Sequence, residues 1–131
     1  FERASALAPK VARLRVALAD CKHEQKRYAE AIRVYREAAR VDPSAAPPLY
    51  YRIGRSVQAE KGLRAAAPWY ERAVREDPKN PMPFYYLGYH YKQRGERRRA
   101  IESFQAYLAA RPEAEDRRDI EAEIEYLGGT P

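Results

Sequence analysis

Three segments of this 131-residue chain superpose without a gap: YAEAIRVYREAARVDP (Tyr28 to Pro43), LRAAAPWYERAVREDP (Leu63 to Pro78) and RRRAIESFQAYLAARP (Arg97 to Pro112). Their closing prolines are spaced by 35 and then 34 residues. A period of this length admits few folds, because one unit has room for about two helices that cannot bury their apolar faces alone. Consecutive units must therefore stack and share a core. Each proline ends the second helix of its unit, since it disfavours helix in the residue before it and has no N–H to give. Ala31, Ala66, Ala73 and Ala100 sit where a small side chain lets the partner helix approach.

Upstream of two segments a second signature recurs. YYRIGRSV (Tyr50 to Val57) and FYYLGYHY (Phe84 to Tyr91) each place an aromatic, an aliphatic residue three on, then Gly, then an apolar residue three beyond. With the downstream Ala, aromatic, Ala and Pro, the pattern resembles the tetratricopeptide repeat, W-x2-L-G-x2-Y followed by A-x3-F and P. The resemblance covers nearly the whole chain, with units at 12–45, 47–80 and 81–114. It implies an all-α fold, a right-handed solenoid of helical hairpins whose first helices line a concave groove. Gly54 and Gly88 then mark close approach within a hairpin. The first unit matches least: Leu18 and Ala19 stand for Leu and Gly, while Arg15 and Lys22 replace the usual aromatics. Val11, Leu14, Leu18 and Cys21 nonetheless form a helical apolar stripe, and Cys21 reads as a small core residue. Tyr107 departs from the small residue usual at its place, which predicts looser or altered packing against the next helix. Pro68 falls early in a helix and is tolerable in its first turn or at a kink.

The two ends differ. Phe1, Ala4 and Pro9 repeat the spacing of Phe104, Tyr107 and Pro112, so residues 1–9 read as the end of a preceding repeat and the chain as a fragment of a longer array. Residues 115–127 predict a capping helix, with Ile120, Ile124 and Leu127 on one face and Gly128 as a left-handed stop. After Pro112 there are seven acidic residues against two arginines. That charge suits the solubilising outer face of a cap.

Other function classes find little support. The chain carries 25 Lys+Arg against 19 Asp+Glu, and its Arg- and Ala-rich usage has a bacterial cast. Cys21 is the single cysteine, which leaves neither a disulfide nor a cysteine zinc site. His23 and His90 fall on different repeats without a ligand-spaced partner. No glycine-rich phosphate loop is present, and the carboxylates concentrate in the cap. The reading is of a protein that is not an enzyme and takes no metal or cofactor. No apolar run approaches the length of a membrane span, about 18 to 20 residues. Compartment is left open.

What remains is the groove. At about 100° per residue, Phe84, Leu87, Gly88 and Tyr91 share one helix face, leaving Tyr85, Tyr86 and Tyr89 on the other. The second repeat likewise assigns Tyr50, Ile53, Gly54 and Val57 to the core and Tyr51, Arg52, Arg55 and Gln58 to the groove. Arg13, Val16, Asp20 and His23 occupy that side of the first. The expected partner-binding set is thus Arg13, Tyr51, Arg52, Arg55, Gln58, Tyr85, Tyr86, Tyr89 and Lys92, with the basic groups drawing an acidic partner. Some chaperone adaptors of the family clamp a terminal carboxylate with Lys and Asn on successive first helices. Here Val16 and Asp20, then Tyr51 and Arg55, stand at those places, so no such clamp is expected. The resemblance implies a protein-interaction scaffold holding a protein or peptide. The alternatives are a nucleic-acid binder using the basic turn from Arg94 to Arg99, which is the less favoured, and self-association through an open N-terminal end.

Overall fold

The computed structural model describes the backbone from Glu2 onward and side chains from Leu7 onward. Among the described residues seven α-helices follow in order: α1 (Glu2–Glu24), α2 (Tyr28–Val41), α3 (Ala46–Lys61), α4 (Leu63–Glu76), α5 (Met82–Gln93), α6 (Arg97–Ala110) and α7 (Arg117–Tyr126). A short 3-10 turn at Pro43–Ala45 precedes α3. No strand occurs among the described residues. Helices pair as hairpins, α1 with α2, α3 with α4 and α5 with α6, and each hairpin packs on the next. No helix among the described residues is long and apolar enough to cross a membrane.

Local chemistry places the breaks. Gly62 both ends α3 and opens α4, at a φ of 97° that L side chains resist. Lys26 also takes a positive φ, 63°, in the first hairpin's turn. After each second helix the residue before proline turns extended or partly so, as at Asp42 and Asp77, and the Asp42 carboxylate then accepts from the Ser44 N–H.

The hairpin glycines work by contact with one ring each. A Cβ on Gly54 would lie 2.7 Å from the Tyr70 ring, and one on Gly88 only 2.4 Å from that of Phe104. Both rings are fully buried. Two cores result: one runs from Ala12 and Ala19 through Tyr35, Ile53 and Tyr70 to Leu87, the other joins Phe104, Tyr107 and Leu108 to Ile120, Ile124 and Leu127. Tyr91 packs against both.

Four expectations change. Helix α1 runs unbroken through Pro9, because helix formers flank that proline and no residue there caps a helix end. Phe1 and the Ala4 side chain lie outside the described residues. Pro68 sits inside α4, beyond its first turn, which removes the first of its two expected placements; it is exposed, so the carbonyl it leaves unpaired is open to water. The stripe of Val11, Leu14 and Leu18 is exposed, as is Cys21, because α1 turns Ala12 and Ala19 toward α2 instead. Finally, the packing at Tyr107 is not looser: the ring is buried and its hydroxyl donates to the Asp116 carboxylate, just ahead of α7, at 3.0 Å.

Candidate protein-binding face

Side chains of the first helices reach one another in sequence, and this builds a continuous wall. From α3, Arg52 donates to both oxygens of Asp20 on α1, at 2.7 and 3.0 Å. The Tyr35 hydroxyl donates to the same carboxylate. Next to them, His23 Nδ1 and the buried Ser56 hydroxyl are 2.9 Å apart. Asp20, His23, Glu24, Tyr35, Tyr51, Arg52 and Arg55 surround a cleft of about 340 Å³. That volume suits one or two side chains of a partner rather than a large ligand.

Within the cleft the two arginines have different partners. Arg52 is neutralised by Asp20. Arg55 is in no ion pair among the described residues and faces the phenols of Tyr51, Tyr86 and Tyr70. Burial disfavours its charge, but the Tyr51 and Tyr86 phenols outweigh that and hold it above the usual guanidinium value. Burial, then Tyr86, push the Tyr51 phenol up in turn. Burial and the adjacent Asp20 do the same to Tyr35. All these groups keep their neutral-pH charge states, so the cleft offers one guanidinium without a carboxylate.

Along α5 the wall is made of rings. Tyr86 stacks on Tyr70 with centroids 5.0 Å apart and planes 10° from parallel. Tyr85 meets Tyr86, Tyr89 and Tyr107 at 5.2, 5.1 and 5.4 Å. Tyr89 sets its edge against Phe104 at 5.0 Å. All three α5 tyrosines are half-buried, so they are not surplus to packing as the helix-face projection suggested. The projection treats one helix alone, whereas rings from α4 and α6 reach around to meet them. Lys92 is also committed, pairing with Glu123 of α7 at 2.5 Å and lying over Tyr126.

The structure thus gathers Tyr51, Arg52 and Arg55 into one cleft and Tyr85, Tyr86 and Tyr89 into one ring cluster, with Tyr86 next to Arg55. Arg13 is exposed and outside the cleft lining. Gln58 turns inward to accept from the Tyr70 hydroxyl. Sequence reasoning missed Glu24 and the polar role of Tyr35. The fit of Tyr35 to the repeat pattern accounted for its ring and hid its hydroxyl.

A family model described as tetratricopeptide repeat matches residues 1–46, and solved structures of that class superpose on nearly the whole chain. The fold is that of the tetratricopeptide repeat. The tetratricopeptide domain of OM64 from Arabidopsis is 14% identical, with a TM-score of 0.76, over 91% of this chain and 98% of that one. The first tetratricopeptide domain of Spaghetti (RPAP3), bound to the HSP90 peptide SRMEEVD, is 17% identical with a TM-score of 0.74, over 91% of each chain. The Yersinia enterocolitica type III secretion chaperone SycD, in complex with a peptide of the translocator YopD, is 16% identical with a TM-score of 0.71, over 88% of this chain and 91% of that one. Compared with curated proteins, the sequence matches none.

Proposed function

We propose that the wall formed by α1, α3 and α5 binds a segment of a partner protein, with an acidic group of that segment seated on Arg55. The observation that carries this reading is the guanidinium itself, beside three phenols and in no ion pair among the described residues. A guanidinium that has shed part of its water gains more from a carboxylate than a solvated one does. The rings beside it supply apolar contact with little rotamer entropy to lose. Two structures of the same fold were solved with peptides, and the HSP90 peptide SRMEEVD is rich in acidic residues. Protein is favoured over nucleic acid because Tyr86 and Tyr70 stack on each other, which takes up faces that bases would need.

The test is fluorescence anisotropy with labelled octapeptides, acidic ones against neutral counterparts. Wild type should prefer the acidic set, and Arg55→Ala should weaken that binding by at least about tenfold, as loss of a charge-assisted contact implies. No preference for acidic peptides, or equal binding by Arg55→Ala, would overturn the reading.

A further inference from the structure

The outer face of α1 carries Leu7, Val11, Leu14 and Leu18, exposed by 55, 36, 72 and 47%, and continues to the exposed Cys21. The steps between them are four, three, four and three residues. This is the narrow two-position seam of a coiled coil rather than the broader face of a helix lying on a globular core. Such a seam is shaped for one other helix of the same spacing.

Charges beside the seam identify that helix. On the edge facing α2, Arg15 bonds Glu37 at 3.0 Å and Lys22 lies 3.6 Å from Glu30, so both cations are already paired within the chain. The opposite edge carries Lys10, Ala17 and Glu24, and neither charged residue has an ion-pair partner among the described residues. We infer that the occupant is the α1 helix of a second copy, running antiparallel.

In that register Leu14 faces the partner copy's Leu18, and Val11 faces its Cys21. Lys10 then meets Glu24 across the interface, twice by symmetry, with Ala17 against its own copy between them. Arg15 also lies opposite its copy, where Glu37 offsets the like charge. A parallel pair would instead set Lys10 against Arg15 and gain no opposite-charge contact. Seam-edge charges of this kind set orientation in paired helices.

Sedimentation velocity across a concentration series tests the pairing. Wild type should move from monomer to dimer, and the Leu14→Glu, Leu18→Glu double variant should stay monomeric with unchanged helical circular dichroism, since both positions are exposed within one copy. Lys10→Glu should weaken the dimer several-fold, and Lys10→Glu combined with Glu24→Lys should restore it. Val11→Cys should give a covalent dimer through Cys21 under mild oxidation. Wild type should not, because paired Cys21 residues would be about 15 Å apart along the helices, beyond disulfide reach. A wild type that stays monomeric into the millimolar range, a charge swap that fails to restore, or ready cross-linking of wild type through Cys21 would overturn the inference.

Discussion

Arg52 and Lys92 stand on first helices of successive repeats, and each pairs with a carboxylate from another helix. Their surroundings are opposite. The Arg52–Asp20 pair lies in the lining of a cleft and leaves Arg55 beside it in no ion pair among the described residues. The Lys92–Glu123 pair fastens α7 beside rings already packed on rings. One stretch of the wall keeps polar groups available, while the other spends its side chains on holding the fold. Cations paired in the same way therefore do not carry identical roles along this solenoid; what decides is whether a further helix covers them.

That contrast can be broken from the closed side first. Ile124→Ala, at a fully buried site in the second core, should lower stability by about 2–5 kcal/mol in urea denaturation. A smaller loss would mean that α7 is only loosely seated. Next, Gly88→Ala should cost about 1–3 kcal/mol by overpacking against Phe104. Gly54→Ala should cost less, since its Tyr70 contacts are a few tenths of an ångström longer. Reversal of that order would remove the distinction between the two hairpins. Lys92→Ala should destabilise by no more than about 1 kcal/mol, as the pair is partly solvated; comparing urea midpoints at low and high salt would show the electrostatic part.

The smallest effect at neutral pH concerns Tyr89. Burial, then the Tyr85 phenol, push its hydroxyl up to about 12 from an ordinary 10. The unfolded chain then releases this proton first, so the stabilisation is complete below pH 10 and is lost as pH rises toward 12. Tyr89→Phe should flatten the fall of the urea midpoint across that interval. An unchanged slope would place Tyr89 in water.

Much of the fold was legible because its determinants are local. A proline after each second helix and a glycine opposite an aromatic sixteen residues on mark a hairpin whatever its neighbours do. The site was less legible because its contacts depend on how hairpins are stacked. Asp20 meets Arg52 across 32 residues, and no period in the sequence encodes that pairing. The same limit explains Lys92, whose ion pair comes from α7, and the α5 tyrosines, whose partners lie on α4 and α6. The leucines of α1 show the limit from the other side: periodicity identifies an apolar face but says nothing of whether anything lies on it. Pro9 shows that a proline at the right interval ends a helix only where neighbouring residues can also leave it.

Helix α7 bears on the number of molecules that can join. Ile120, Ile124 and Leu127 on and just beyond α7 are turned inward, which leaves charged groups and the lone ring of Tyr126 outside among the described residues, so α7 presents no apolar stripe like that of α1. If the α1 seam is the remaining adhesive face, using it consumes it in both partners at once, since a two-fold contact matches a surface with itself. Assembly then closes at two. Had α7 left its end sticky, front and back could have joined in succession, and the same helices would have been a monomer unit for filaments.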